Sequence, residues 1–209
     1  MRTSLISVVC IMTILSGIKA QSDYKSETWI GANGGTTFSM VYFKPMVGQS
    51  YLMGFHGGLV FKHIAEKSLG VQAEFNYSQR GWSESSGLYS RRLDYIEIPF
   101  LTHIHFGNKV QFYLNIGPKV GFFIGDVVLH NSNGIPDKEQ QKLTVSQKLD
   151  YGFCGGPGLL FKFGEQSIQI DIRANYSISN FYPADNLSYF DNSNHMNASV
   201  SLAWMFKIK

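Results

Sequence analysis

The sequence has few of the features that stabilise small exported proteins, and nothing after its first twenty residues predicts a membrane helix. It contains two cysteines, Cys10 and Cys154, which excludes a framework of several disulfides. Charged residues make up 16% of the chain and the net charge is +3, so no nucleic-acid partner is expected. Later apolar runs fall short of the roughly 18 residues of a membrane helix. Abundant glycine and aromatic residues instead favour strands.

Residues 1–20 have the pattern of a secretory signal peptide. Arg2 precedes an apolar run of about fourteen residues, which is too short to span a bilayer comfortably, and a segment resembling a cleavage site follows. We expect cleavage after Ala20; the alternative is an uncleaved anchor helix. Residues 21–28 are then a short polar leader, and residues 29–209 are expected to form one outer-membrane β-barrel domain.

Residues 167–179, SIQIDIRANYSIS, alternate apolar and polar side chains without a break. A period of two predicts a strand with one apolar and one polar face. The pattern recurs and predicts eight strands, of which the first, second and sixth are interrupted by glycine. They cover about residues 29–40, 51–62, 69–80, 92–106, 109–124, 149–163, 167–180 and 195–207. Their lengths exceed the five or six residues of ordinary strands and reach the roughly nine to eleven that cross a membrane.

The predicted connections alternate in length. Those that are long and polar are 41–50, 81–91, 125–148 and 181–194, and those that are short are 63–68, 107–108 and 164–166. Long external loops and short periplasmic turns, with an even strand count, are typical of outer-membrane barrels. The sequence therefore predicts an all-β fold: an eight-stranded antiparallel up-and-down transmembrane β-barrel in the outer membrane, with both termini periplasmic. The alternative is a soluble lipocalin-type barrel with its apolar face inside.

The longest predicted loop, 125–148, has two interpretations. Its Asn, Gly, Pro, Asp, Lys and Gln residues suit a mobile external segment. Alternatively, the apolar residues at 127–129 and 143–145 extend the flanking strands as a hairpin above the membrane, because both runs flank a polar tip.

Six charged residues fall on the polar faces of the predicted strands. They are Glu74, Arg80, Glu97, Lys119, Asp171 and Arg173. Eight strands enclose a lumen that side chains can fill, and unpaired charge there is costly, so we expect these three acids and three bases to pair. A three-residue turn at 107–109 would place Glu97 directly opposite Lys119. The alternative is a water-filled pore whose charges do not touch.

Two segments carry a resemblance to a known family. Residues 93–100, LDYIEIPF, and 112–121, FYLNIGPKVG, resemble the Y-x-E-I-P and G-P-x-x-G core of the PorT-type outer-membrane β-barrel family of Gram-negative bacteria. The resemblance extends over most of the mature chain and implies a small outer-membrane barrel. A few members resemble components of protein secretion and most have no assigned activity, so the resemblance implies a fold and a location but no reaction.

Patterns that would indicate catalysis or metal binding are weak. His103 and His105 share one strand face, which could direct two imidazoles at a metal, but no third ligand stands at a helpful spacing. No motif joins His56, His195 and the serines into a hydrolase site. The Asx-rich segment 185–194 offers calcium-like oxygens but is more typical of turns. We therefore expect no catalytic residue, no metal and no cofactor.

Two functions of different classes remain open. The first is a non-enzymatic barrel with a side-chain-filled lumen that acts through its extracellular loops in adhesion, envelope assembly or protein secretion. The second is a narrow solute channel or an outer-membrane lipid-modifying barrel enzyme. The expected partners are outer-membrane lipid and other envelope or secretion proteins, with no nucleic acid.

Overall fold

A computed structural model describes residues 24–131, 141, 143–182 and 189–209, which form an antiparallel β-barrel. Its strands are β1 (Glu27–Lys44), β2 (Gln49–Ser50), β3 (Leu52–Glu66), β4 (Leu69–Glu84), β5 (Tyr89–Gly107), β6 (Val110–Asn131), β7 (Leu149–Phe163), β8 (Gln166–Ser177) and β9 (Asn192–Lys207). The predicted signal peptide, residues 1–20, lies outside the described residues. Within the described part of the chain, no helix is long and apolar enough to cross a membrane.

Eight of the strands form a closed ring. Each pairs antiparallel with its neighbours in sequence, the β1–β9 pairing closes the ring, and the two-residue β2 only adds to the end of β4. Closure leaves no free edge across the barrel, which satisfies the backbone hydrogen bonds of every strand. The predicted eight-stranded up-and-down barrel is confirmed.

The two faces of the strands lie as the alternation predicts. In β8, Asp171 and Arg173 are buried in the lumen, whereas Ile170 and Ile172 point outward and are 43% and 60% exposed. The same division holds in β4, β5, β6 and β9. Because the apolar side chains form the outer surface, the lipocalin-type alternative is wrong.

Glycine interrupts the alternation in β1, β3 and β7 because neighbouring backbones approach closely there. A Cβ atom on Gly156 of β7 would collide with the carbonyl oxygen of Ile172 in β8. Only glycine permits such an approach, which a small and strongly curved barrel requires. Residues that weaken the sequence pattern therefore allow the ring to close.

The Y-x-E-I-P and G-P-x-x-G segments lie side by side on β5 and β6. Their ladder is interrupted between the pair Thr102–Ile116 and the pair Pro99–Lys119. Proline has no N–H to donate at this point. A Cβ atom on Gly117 would collide with the carbonyl oxygen of Phe100 in β5. The two segments thus form one local feature of the barrel wall.

The short turns after β3, β5 and β7 lie at one end of the barrel. The first and last strands end there too, and the Thr28 N–H donates to the Lys209 carbonyl over 2.9 Å. This end is the one predicted to be periplasmic and is called the periplasmic end below; the opposite end is the extracellular end.

Three of the predicted long loops are shorter in the structure. Of the predicted loop 41–50, β1 takes the residues up to Lys44, and β2 takes Gln49–Ser50. The prediction of a loop over 81–91 is wrong: β4 and β5 continue to a tight turn at 85–88, because Trp82 and Arg91 are buried and extend the inward alternation. Of the predicted loop 125–148, β6 takes the first part, as the hairpin interpretation requires. Residues 143–148 form no strand; the Ser146 N–H donates to the Phe181 carbonyl across the extracellular mouth.

Candidate functional site

A cluster of four charges fills the extracellular half of the lumen; we call it the upper cluster. The fully buried guanidinium of Arg80 lies 3.0 Å from a carboxylate oxygen of Glu97 and 2.9 Å from one of Asp150. The ammonium of Lys119 lies 3.2 Å from Glu97 and 3.5 Å from Asp150. Each base thus contacts both acids, and the cluster is electrically neutral, as burial of charge requires.

A second cluster, the lower cluster, consists of Glu74, Arg173 and Asp171. Two guanidinium nitrogens of Arg173 donate to the two oxygens of Glu74 at 2.9 and 3.0 Å, which is the bidentate geometry of a strong ion pair. Arg173 also lies 3.5 Å from Asp171. Asp171 accepts hydrogen bonds from Tyr113 and Gln169, each at 3.2 Å.

Lys62 supplies the remaining buried positive charge near the lower cluster. Its ammonium donates to the side-chain oxygen of Gln169 over 2.8 Å, and Gln169 in turn donates to Asp171. With Lys62, the two clusters bring together four acids (Glu74, Glu97, Asp150 and Asp171) and four bases (Lys62, Arg80, Lys119 and Arg173). The two clusters and Lys62 are therefore balanced in charge.

Little open space remains between the two clusters. Glu97, Lys119, Arg173 and His56 line a polar cavity of about 20 Å³. A cavity of that size holds about one water molecule. At the periplasmic end, Trp29, Tyr113 and Met205 are among the buried apolar residues that close the lumen.

An aromatic cap closes the extracellular mouth. It consists of Val41, Phe43, Trp82, Tyr89, Leu93, Tyr95, Phe181, Tyr182 and Phe190. The rings of Phe43 and Phe190 stack with centroids 4.4 Å apart, and Phe43 meets Trp82 edge-on at 5.3 Å. Such pairs stabilise beyond the area that they bury. Residues from β1, β4, β5 and the segment before β9 are thereby joined across the mouth.

Arg91 fastens the extracellular segments to the aromatic cap. Its guanidinium donates to Asp126 of β6 over 2.7 Å, to the Leu143 carbonyl over 2.6 Å and to the Tyr182 hydroxyl over 3.0 Å. Burial raises the pKa of the Tyr182 hydroxyl, so this group stays protonated at neutral pH. One side chain thus ties β6 to the two segments that cross the mouth.

The six charged residues predicted to face the lumen all lie there, three in each cluster. The predicted register is wrong, since Glu97 lies opposite Gly121 and Lys119 opposite Pro99. Gly107, with φ of +106°, ends β5 and pairs with Gln111 of β6, which shifts the ladder by two residues from the predicted one. Because a shift of two residues leaves each side chain on its face, Glu97 and Lys119 still meet.

Sequence reasoning missed Asp150 and Lys62. Asp150 is the second residue of the glycine-interrupted strand β7, and Lys62 follows the glycines of β3, so neither lay on a recognisable polar face. Charged residues are few in β3 and β7. A search of these two strands for charged residues that could pair inside the lumen would have found both.

The residues considered for metal binding do not form a site in the structure. His103 and His105 are buried side by side with ring centroids 5.3 Å apart, and His103 is 2.7 Å from the Asn115 side-chain oxygen. Among the residues that the structure describes, no three His, Cys, Asp or Glu side chains cluster as metal ligands would. Asp185 and Asn186 lie outside the described residues, and Asp191 pairs with the exposed Lys44 at 3.5 Å.

The profile of the outer membrane protein beta-barrel domain matches residues 19–182. No curated protein matches the chain. The structure is similar to OprG, an outer membrane protein of Pseudomonas aeruginosa, with a TM-score of 0.58, 10% identity, and coverage of 90% of this chain and 98% of that one. It is also similar to Neisserial surface protein A, with a TM-score of 0.52, 12% identity, and coverage of 86% and 98%.

At these identities the two structures show the fold alone. Together with the profile match, they confirm the predicted location in the outer membrane. The outward apolar side chains of the strands are therefore the lipid-facing wall, and the aromatic cap lies on the cell surface side.

Proposed function

Since the chain belongs to the outer membrane protein beta-barrel domain family, we propose that it is a non-enzymatic barrel that acts through its extracellular surface. The roles that this proposal covers are adhesion, envelope assembly and protein secretion. Its partners are other envelope or secretion proteins, or molecules at the cell surface, held by the segments above the membrane.

The filled lumen is the observation that carries the proposal. The upper and lower clusters occupy it with paired charges, and the aromatic cap closes it above. A solute would have to separate buried ion pairs to pass, and each broken pair leaves an uncompensated charge. The barrel therefore serves as a support for what it displays outside rather than as a passage.

A hydrolytic role has less support. The Ser201 hydroxyl lies 2.8 Å from Nε2 of His56, which resembles a nucleophile and its base. The other ring nitrogen of His56 meets the Thr37 hydroxyl at 3.1 Å, where a catalytic triad has a carboxylate. The pair also lies at the small cavity inside the lumen, which offers no room for a substrate.

The surface best suited to a partner is the extension of β4, β5 and β6 above the barrel. The β5–β6 pairing continues to Tyr89–Asn131, whereas the β6–β7 pairing stops at Phe122–Leu149. Apolar side chains are exposed on this extension, with Leu88 52% and Val128 45% exposed. Exposed apolar residues outside the bilayer are typical of binding surfaces.

Site-specific photo-crosslinking in intact cells tests the proposal. A photoreactive amino acid is placed at Leu88 or Val128 on the extension, and at Lys67 in a periplasmic turn as the matched control. We expect a discrete adduct with a protein or surface molecule from the first two positions and none from Lys67. Adducts from Lys67 alone would contradict the proposal.

A narrow channel is the competing function, and conductance separates the two. We expect the purified barrel to show no steady current in planar bilayers, because the ion pairs and the aromatic cap obstruct the lumen. A steady current in wild-type protein would overturn the filled-lumen proposal. Loss of an outer-membrane lipid modification on deletion of the gene would instead indicate the enzyme alternative.

We also propose that the chain is a PorT-type barrel. The segments at 93–100 and 112–121 support membership of the PorT-type barrels, and their contact around Pro99 and Gly117 gives the resemblance a physical basis. A secretion defect in a deletion strain, restored by the intact gene, would support a role of this barrel in secretion; normal secretion would count against that role.

A further inference from the structure

Three small residues form a row on the lipid-facing wall. Gly155 of β7 pairs with Ala174 of β8, and Ala174 pairs with Ala198 of β9. Ile116 of β6 and Phe38 of β1 continue the row on its two sides and are large. The lipid-facing surface is therefore recessed over β7, β8 and β9.

Large side chains border this row on its extracellular side. Phe153, Tyr176 and Met196 occupy the next lipid-facing positions of the same three strands, and all three are substantially exposed. The result is a depression of about 680 Å³ with an almost wholly apolar lining. We call it the lateral groove.

The lateral groove lies in the extracellular half of the membrane. Gly155, Ala174 and Ala198 stand eight or nine residues from the periplasmic ends of their strands, at Phe163, Gln166 and Lys207. With a rise of about 3.3 Å per residue and a tilt of about 40°, they lie about 20 Å above that end, beyond the middle of an apolar band about 25 Å tall.

Something apolar has to fill a groove in this position. Water gains no hydrogen bonds from an apolar lining, and an empty space forfeits dispersion contacts on all its walls. The groove is continuous with the lipid contact of the whole wall, so acyl chains reach it directly.

A second copy of the chain fits less well. A two-fold contact brings identical patches face to face. Two lateral grooves opposed in this way would enclose a larger empty space instead of filling one. A flexible acyl chain can follow the row of Gly155, Ala174 and Ala198 beneath the border formed by Tyr176 and Met196.

We propose that the lateral groove binds an acyl chain of lipopolysaccharide, the lipid of the extracellular leaflet of an outer membrane. The position of the groove in that leaflet selects this lipid over the phospholipids of the periplasmic leaflet. Lys148, exposed and directly before β7 at its extracellular end, supplies a positive charge for an anionic headgroup. The inference does not rest on the proposed function of the extracellular surface.

Filling the groove tests the proposal. Ala174→Leu and Ala198→Leu each place a large side chain in it. Ala32→Leu is the matched control, because Ala32 also faces lipid but lies outside the groove, opposite Trp204. Each barrel is purified from outer membranes in mild detergent, and bound lipid is counted by native mass spectrometry.

Wild-type protein and Ala32→Leu should retain lipopolysaccharide. The two groove variants should retain about tenfold less, the effect of losing about two buried methylene groups. Equal retention in all four proteins would overturn the proposal. Preferential retention of phospholipid would overturn the choice of lipid, and a wild-type dimer that the groove variants dissociate would assign the groove to a second copy.

A measurement on wild-type protein covers the case in which a variant does not fold. Lipopolysaccharide with a photoactivatable acyl chain is incorporated into vesicles with the barrel and irradiated. Labelling should concentrate on peptides that contain Tyr176 or Met196. Labelling spread evenly over the lipid-facing wall, including Phe75 on the opposite side, would contradict the proposal.

Discussion

Lys119 and Glu97 form an ion pair across a diagonal of the β5–β6 ladder. Their charged atoms are 3.2 Å apart, although Lys119 lies opposite Pro99 and Glu97 opposite Gly121. The long lysine side chain spans the offset of two residues. Gly121, opposite Glu97, has no side chain, and the Arg80 guanidinium and the Asp150 side chain occupy that space. This pair, with Arg80 and Asp150, forms the upper cluster of the lumen.

Removing one acid from the upper cluster should destabilise the barrel. Glu97→Gln leaves Arg80 and Lys119 with one carboxylate, and an uncompensated buried charge costs about 3–5 kcal/mol. Urea unfolding in lipid vesicles measures the change in the free energy of unfolding. Adding Lys119→Met should restore much of the lost stability, because the remaining charges, Arg80 and Asp150, then neutralise each other. Asp191→Asn, which breaks an exposed pair, should cost at most about 1 kcal/mol; equal losses would contradict the buried network.

Charge on the lipid-facing wall should be costly only within the bilayer. Ile170→Arg places a guanidinium among acyl chains near the membrane centre and should cost about 2–4 kcal/mol. Val128→Arg makes the same kind of change on the β6 extension, where water solvates the charge, and should be nearly neutral. Urea unfolding in vesicles measures the free energy of unfolding of both variants. A similar loss of stability in both would mean that Val128 also lies within the bilayer.

The aromatic cap should loosen when Arg91 is removed. Arg91→Ala deletes hydrogen bonds of the guanidinium to Asp126, Leu143 and Tyr182, each worth about 1.5–3 kcal/mol when a charged group takes part. Protease added to intact cells should therefore cleave within 143–148 at least about tenfold faster.

Arg92→Ala is the control for this experiment. The Arg92 guanidinium pairs with Asp94, 2.9 Å away on the outer face of β5, and does not contribute to the mouth contacts described for Arg91. Cleavage of the Arg92 variant should match wild type. Equal acceleration in both variants would show that Arg91 does not fasten the segment.

Gly117 should tolerate no side chain. In Gly117→Ala the new Cβ atom meets the carbonyl oxygen of Phe100, a backbone atom that cannot move aside without disturbing β5, and overpacking of this kind costs about 1–3 kcal/mol. Gly125→Ala on the same strand meets no atom within 4 Å and should be neutral. The free energy of unfolding and the heat-dependent shift in gel mobility distinguish the two variants. A neutral Gly117→Ala would mean that β5 and β6 lie farther apart at this point.

The sequence alone determined the barrel and the faces of its strands. A period of two is a local property, so Ile170 is assigned outward and Asp171 inward without knowledge of any neighbouring strand. Recurrence of this pattern predicts eight strands, and the length of the strands predicts a membrane; the structure and the family match confirm both.

Tertiary structure decided the register and the partners inside the lumen. The register of β5 and β6 follows from the backbone conformation at Gly107, which composition does not reveal. Arg80 meets Asp150 across the barrel although they are 70 residues apart in sequence, and closure of the ring alone brings them together. The extent of β4 and β5 above the membrane likewise depends on Trp82, which packs against Phe43 of β1 and against Phe181 and Tyr182 of a segment crossing the mouth.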